Sequence, residues 1–197
     1  MMDCKKALIE ADGDYDKAQD IIRERGKLVA AKRADRSATE GVVVSKIVGQ
    51  KGYMLCLACE TDFVAKNSEF SATANEILDI AIAADAADLE ALNAVAADGR
   101  TVADKVTEKS GQTGEKVELV YYAKIEAPMC VTYIHTNHKL GTLIGFNKEI
   151  GMEVAKDVAM QAAAMAPISI SREDCDPAVI EHERSIGREQ ARLDGKP

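Results

Sequence analysis

The chain has 197 residues, of which 47% are hydrophobic and 29% charged, a composition typical of a folded globular protein with one large domain or two small ones. Its 25 basic residues are outnumbered by 33 acidic residues, which gives a formal net charge of −8. Because no dense basic stripe offsets that charge, direct nucleic-acid binding is not predicted. No apolar run is long enough to span a bilayer and the N-terminus lacks a signal-peptide pattern, so we expect a cytoplasmic protein that does not enter a membrane.

The N-terminal segment predicts two short helices, Met2–Ala11 and Asp14–Arg25, with Gly26 closing the second. Two short helices cannot bury a core by themselves. We therefore expect either that a third helix is missing from the sequence or that the pair packs against another part of the chain. Residues 27–40 are charged and rich in alanine, which is typical of a helical or flexible connector.

A β-hairpin and three helices are predicted next. Gly41–Val48 and Tyr53–Glu60 are rich in Val, Ile, Leu and Tyr, and the four residues between them have the composition of a tight turn. The spacing of apolar residues then predicts helices over Glu69–Ala84, Asp88–Ala97 and Val102–Lys109.

The second half of the chain predicts further strands and two helices. The strands are Lys116–Glu126, Met129–His135 and Leu140–Asn147. A helix follows over Glu149–Met165, and Pro167 ends it. One face of this helix is apolar and contains Ile150, Val154, Val158, Ala162 and Met165. A strongly polar helix is predicted from Asp176-Pro177 to about Leu193.

The pattern Asn-x-Glu-apolar occurs twice, at Asn67–Phe70 and at Asn147–Ile150, with an offset of 80 residues. Chance similarity between two strand-to-helix units is one explanation, and duplication is the explanation that we favour. The predicted fold class is therefore α+β, with two similar subdomains that each pack a small antiparallel sheet on helices. A small helical module precedes them and a projecting helix follows.

The two halves differ at one place, where Thr61–Lys66 are extra residues between the first strand pair and Asn67. An insertion between rigid elements is a place where function is often added. The alternative is a purely structural connection, with Asp62 as the helix N-cap and Phe63 folded back into the core. The residues alone leave both interpretations open.

Five scattered cysteines favour free thiols in a reducing compartment over a disulfide framework: Cys4, Cys56, Cys59, Cys130 and Cys175. Cys56 and Cys59 suggest a zinc or redox site together with His135-x-x-His138. However, residues three apart on a strand point to opposite faces, and a redox pair of this type opens a helix. We predict no metal site and no cofactor.

No catalytic motif is present, and the sequence contains only three histidines. A binding protein is therefore favoured over an enzyme. Two alternatives stay open, namely a helical adaptor similar to ubiquitin-associated modules and a small metal or thiol protein.

Thr61-Asp62-Phe63-Val64-Ala65-Lys66-Asn67 resembles the signature loop of the bacterial elongation factor Ts family, and the segment from Met1 to Leu8 resembles its second signature. Similarity extends to segments of the second core subdomain and of the arm that leads into the family's coiled-coil protrusion. These segments are Tyr133-Ile134-His135, Lys139–Leu143, Ile180–Glu183 and Gly195–Pro197. The family has another helix before the Met-Met and continues beyond Gly-Lys-Pro, so the chain resembles a fragment.

The resemblance divides the chain into five predicted parts. They are a partial, ubiquitin-associated-like helical module at 1–26, a linker at 27–40, core subdomain N at 41–112, core subdomain C at 113–170 and one helical arm of a coiled-coil protrusion at 171–197. The sequence leaves the oligomeric state open, a homodimer included.

The resemblance also implies a function. Members of the family are guanine-nucleotide exchange factors that bind elongation factor Tu in its GDP-bound or nucleotide-free state and promote GDP release. Thr61, Asp62, Phe63 and Val64 would form the loop that disturbs the partner's Mg²⁺ and phosphate site, with Phe63 as the wedge. Further partner contacts are implied for Met1, Met2, Lys5 and His135.

Overall fold

The computed structural model describes residues 2–195, and it confirms an α+β fold with small antiparallel sheets packed against helices. The main sheet has three strands in the order β1-β2-β5, formed by Glu40–Val48, Lys51–Cys59 and Glu118–Glu126. Both pairings are antiparallel. The predicted hairpin is confirmed, with Val48 opposite Lys51 and a two-residue turn in which Gly49 has a φ of +60°.

Helices cover one face of the main sheet. They are α3 (Asp62–Ala65), α4 (Ser68–Ala84), α5 (Leu89–Ala94) and α6 (Val102–Thr113), and a two-stranded ribbon of β3 (Ala96–Ala97) and β4 (Arg100–Thr101) precedes α6. Alternate residues of β2 point toward these helices, and Leu55 and Leu57 are fully buried against Phe70 and Leu78 of α4. This layer is the main hydrophobic core.

A second hairpin covers the opposite face of the main sheet. Its strands are β6 (Met129–Ile134) and β7 (Gly141–Phe146). The two sheets approach closely, because a Cβ atom added at Gly52 would lie 2.5 Å from Leu143 and one added at Gly141 would lie 2.9 Å from Val43. The central part of β1 and β2 is thus covered on both faces, whereas Tyr121 on β5 is exposed. Strand β5 lies in the predicted core subdomain C, yet it pairs with β2 of the predicted core subdomain N. The boundary between these subdomains at residue 112 stays a prediction.

Helix α7 (Met152–Met165) packs on the second hairpin through small residues, Ala155, Ala159 and Ala163. It begins three residues later than the predicted start at Glu149. The apolar face that the sequence suggested is not the buried one, since Val154 and Val158 are exposed. Alanine permits a close approach to the hairpin, where the Thr142 hydroxyl donates to the Ala159 carbonyl at 2.7 Å.

The N-terminal module consists of α1 (Met2–Glu10) and α2 (Tyr15–Lys32), which share a small cluster of buried alanines. The prediction that Gly26 ends α2 is wrong, because the helix continues to Lys32. Gly26 instead lies where α2 crosses α6: a Cβ atom added at Gly111 would be only 2.5 Å from the Gly26 Cα. Of the two expectations for this pair, packing against another part of the chain is therefore confirmed.

Residues 164–195 belong to a second compact unit, dominated by α8 (Pro177–Leu193). The predicted helix is confirmed, with the Asp176 side chain accepting from the Ala178 N–H at 2.8 Å and Pro177 in the first turn. None of the α8 residues is buried. Among residues 2–195, no helix is both long enough and apolar enough to cross a membrane.

The crossing of α2 and α6 makes a prediction about two glycines. Gly111→Ala should lower the free energy of unfolding by about 1–3 kcal/mol, because the added methyl group meets backbone that cannot move without separating the helices. Gly26→Ala is the matched control: its methyl group would contact Gly111 at an ordinary 3.6 Å, and alanine favours a helix over glycine by about 1 kcal/mol. Urea denaturation measures the free energy of unfolding of both variants, and equal decreases in this energy would contradict the crossing geometry.

Candidate functional site

The segment that follows β2 forms a single helical turn, α3, which connects the main sheet to α4. Thr61 is its N-cap, in extended conformation, and its hydroxyl oxygen accepts from the Val64 N–H at 3.5 Å. Asn67 then caps α4 by accepting from the Glu69 N–H at 2.8 Å. Two capped helix starts within seven residues explain why the chain folds locally into a tight, defined turn.

Phe63 projects from this turn into solvent, with 84% of its surface exposed. Ala65 is buried and Val64 packs against the main core, so the inward positions of the turn are filled by small residues. The interpretation in which Phe63 folds back into the core is therefore wrong, and so is the assignment of Asp62 as the N-cap. Exposing a large aromatic ring carries a solvation cost that a purely structural connection would avoid.

Asp62 lies beside Phe63 and forms an ion pair with Lys66, whose Nζ donates to the Asp62 carboxylate at 2.6 Å. This hydrogen bond lowers the pKa of Asp62, and the nearby Lys139 ammonium contributes in the same direction. The turn therefore presents a ring flanked by an anionic and a cationic side chain.

Glu115, in the loop between α6 and β5, holds the N-terminal end of α3. One carboxylate oxygen accepts from the backbone N–H groups of Glu60 and Thr61, at 3.1 and 3.0 Å. The other accepts from the Thr61 hydroxyl at 2.6 Å. A single half-buried carboxylate thus binds three donors on the segment that positions Phe63.

Glu60 makes the reciprocal contacts. Its carboxylate accepts from the Lys116 N–H at 2.6 Å, from the Arg33 guanidinium at 2.8 Å and from Arg36 at 3.1 Å. The Lys116 N–H and then the Arg33 hydrogen bond are the main causes that lower the pKa of Glu60 to about 2. The sequence does not reveal Glu60, Glu115 or either arginine as residues of this site, because charged residues at the ends of elements look like ordinary solvated charge.

The turn between β6 and β7 lies next to α3. Asn137, His138 and Lys139 line one pocket with Asp62 and Lys66. This turn is fixed to β1, since the Val43 N–H donates to the His138 carbonyl at 2.7 Å. The structure therefore brings the α3 turn and the tip of the second hairpin together on one surface.

The remaining predicted contact residues lie elsewhere or at the edge of this surface. His135 is exposed at the end of the second hairpin, where its Nδ1 is 2.9 Å from the Tyr133 hydroxyl. Met2 and Lys5 are exposed on α1, in the N-terminal module. Met1 lies outside the described residues.

The cysteines are all free thiols. Cys59 points into the main core, and Cys56 points toward the opposite face of the sheet. On β1, Cys59 is paired with Glu40 and Cys56 with Val43. Burial raises the pKa of both thiols, to about 11 for Cys59, which disfavours the thiolate. Over the described part of the chain, no three His, Cys, Asp or Glu side chains are grouped so that they could hold a metal ion.

An exposed aromatic ring on a braced turn, flanked by charges, is typical of a protein-binding surface. A family model described as elongation factor TS matches residues 60–197, a range that starts one residue before the Thr61 cap. The chain belongs to the elongation factor Ts family, and thus to the translation elongation factors of protein biosynthesis.

Individual relatives agree with this assignment. Elongation factor Ts of Porphyromonas gingivalis is 46% identical over 198 residues, which cover 100% of this chain and 72% of that protein. The elongation factor Ts of Azobacteroides pseudotrichonymphae is 43% identical with the same coverage. That of Bacteroides thetaiotaomicron is 44% identical over 98% of this chain, which spans 59% of the relative.

The exposure of Phe63 predicts that its side chain contributes little to folding. Phe63→Ala should change the free energy of unfolding by less than about 0.5 kcal/mol. Phe70→Ala provides the contrast, because Phe70 is 1% exposed and its truncation should cost about 3–5 kcal/mol. Urea denaturation compares the variants, and a large loss for Phe63→Ala would show that the ring is packed.

The lowered pKa of Glu60 predicts a pH dependence of stability. Since its pKa falls from an ordinary 4.5 to about 2, the folded protein binds this proton less readily than the unfolded chain does. The corresponding stability is present above about pH 4.5 and is lost as the pH falls toward 2. In Glu60→Gln, the free energy of unfolding should decline less steeply across this window, as measured by denaturation at successive pH values. If the free energy of unfolding declined equally steeply in the wild-type protein and in Glu60→Gln, the result would contradict the contacts of Glu60.

Proposed function

We propose that this chain is a guanine-nucleotide exchange factor that binds elongation factor Tu and promotes the release of its GDP, acting in the cytoplasm. The observation that carries the proposal is the exposure of Phe63 on the capped and braced α3 turn. Membership of the elongation factor Ts family and the Thr61–Asn67 signature support it. The activity would change no covalent bond, so the chain would act as a binding protein and not as an enzyme.

In this mechanism, Phe63 inserts between helices of the GTPase domain of elongation factor Tu, near the nucleotide. A bound Mg²⁺ ion bridges phosphate oxygens to the protein, and its octahedral geometry tolerates little displacement. A small shift of the supporting helices would therefore weaken both the binding of the Mg²⁺ ion and the protein contacts to the phosphates. Asp62 is the polar neighbour of the wedge, and Thr61 and Val64 shape the turn.

The energies are sufficient for such a displacement. Burying a phenylalanine side chain is worth roughly 1.5–3 kcal/mol, so Phe63 alone can act as an interface hot spot. Exchange is also reciprocal: if the factor lowers the partner's affinity for nucleotide, nucleotide lowers the partner's affinity for the factor by the same amount. GTP rebinding then releases the factor, which leaves it free for another cycle.

Further contacts would come from the N-terminal module and the second hairpin. Exposed Met2 and Lys5 on α1, together with Met1, would bind the same GTPase domain, and His135 would contact another domain of the partner. The tip of the second hairpin adjoins Asp62 and Lys66, so the α3 turn and the hairpin tip would form one continuous binding surface. The proposed binding involves no direct contact with nucleic acid and no metal ion held by this chain, and it leaves a homodimer open.

The proposal predicts a large effect of Phe63→Ala on exchange. At equal concentrations of factor, the stimulated release of fluorescent GDP from elongation factor Tu should fall at least about tenfold, in line with the loss of one buried aromatic contact. Tyr121→Ala is the matched control, because Tyr121 is also an exposed aromatic residue, at 74%, but lies on β5. Unchanged release with Phe63→Ala, or an equal loss with Tyr121→Ala, would refute the role of the wedge.

A further inference from the structure

A helical turn of four residues has no stability of its own, because the first turn of a helix fixes several residues for a single hydrogen bond. The order of α3 must therefore come from its surroundings. Below the turn, Val64 and Ala65 pack against the main core. At its N-terminal end, the contacts are polar and come from residues distant in sequence.

Those polar contacts form a cross-brace between two loops. The Glu115 carboxylate binds the N–H groups of Glu60 and Thr61 and the Thr61 hydroxyl, while the Glu60 carboxylate binds the Lys116 N–H. Each loop thus provides a carboxylate to the backbone of the other. Hydrogen bonds to an ionised carboxylate are stronger than those between neutral groups, so the brace resists distortion.

The two carboxylates have different charge partners. Glu60 is neutralised by Arg33, which caps α2, and by Arg36 in the following connector. Within residues 2–195, the Glu115 carboxylate has no ion pair with a basic side chain, and its hydrogen-bond donors all come from the segment that leads into α3. The charge of Glu115 is therefore directed at the Thr61 cap, and removing it leaves two backbone donors and one hydroxyl without an acceptor.

We propose that Glu115 is a positioning residue for nucleotide exchange, which acts through the Thr61 cap to hold Phe63 in its outward orientation, with Glu60 completing the brace. This role rests on the proposed exchange function. A side chain that is ordered before binding loses less conformational entropy at the interface. A wedge on a disordered turn would still reach the partner but would enter it in many orientations, most of them unproductive.

The first test measures the brace in the free protein. In the wild-type protein, the ¹⁵N order parameters of the α3 amides should be near 0.85, the value of a rigid backbone, and in Glu115→Ala they should fall below about 0.6. Glu115→Gln keeps the side-chain shape and one acceptor oxygen, so it should give intermediate values and serves if Glu115→Ala does not fold. Glu76→Ala is the control, since it removes an ion pair with Lys105 between α4 and α6 and should leave α3 ordered.

The second test links the brace to exchange through a double-mutant cycle. Glu115→Ala should lower stimulated GDP release roughly tenfold when Phe63 is present, and should have less than about a twofold further effect in the Phe63→Ala background. Additive losses would show that Glu115 acts independently of Phe63 and would overturn the positioning role. Glu76→Ala should leave the release rate unchanged in both backgrounds.

The outcomes separate this inference from the proposed function. Unchanged order parameters of α3 in Glu115→Ala would overturn the brace, whatever the exchange rates are. Loss of order without loss of exchange would overturn the positioning role. If the wild-type protein does not stimulate GDP release, the proposed function fails, and if Phe63→Ala leaves stimulated release unchanged, the wedge role fails. In both cases the order parameters still decide whether Glu115 orders the turn.

Discussion

Coverage of the central part of β1 and β2 on both faces is the constraint on which the rest of the structure depends. The helices around α4 cover one face and the second hairpin covers the other, so β1 and β2 have little exposed apolar surface left near Gly41 and Leu57. The chain leaves β2 at Cys59 between these two filled layers. Val64 and Ala65 occupy the inward positions of the next turn, and Phe63 projects outward into solvent.

Local patterns predicted much of this fold. The hairpin of β1 and β2, the start of α4 near Asn67 and the Asp176-Pro177 start of α8 depend on turn and capping residues that act within a few positions, and the structure confirms them. The predicted end of α2 at Gly26 was wrong because glycine also serves close helix crossings, which depend on the distant Gly111.

The remaining differences between prediction and structure also arise from packing between segments that are distant in sequence. Val154 and Val158 looked like a buried face, but α7 packs through its alanines, because the separation between helix and hairpin decides which side chains fit. The Thr61–Lys66 segment was visible in the sequence as an insertion that carries an aromatic residue. Its support by Glu60 and Glu115 was not, since these contacts join residues more than 50 positions apart.

Two independent observations converge on the α3 turn. It lies within the range that the elongation factor Ts family model matches, and its geometry exposes one large ring on a turn whose other residues are capped, buried or paired. A family match alone does not distinguish residues that shape a fold from residues that bind a partner. The exposure of Phe63 favours binding, and the charges of Asp62, Lys66 and the hairpin tip extend the same surface.

A photo-crosslinking amino acid placed at position 63 tests the central claim most directly. After irradiation of the complex with elongation factor Tu, mass spectrometry identifies the crosslinked peptides. We expect crosslinks to the GTPase domain beside the nucleotide site, and their yield should fall when excess GDP displaces the factor. Crosslinks confined to this chain itself, or to surfaces of the partner remote from the nucleotide, would contradict the account.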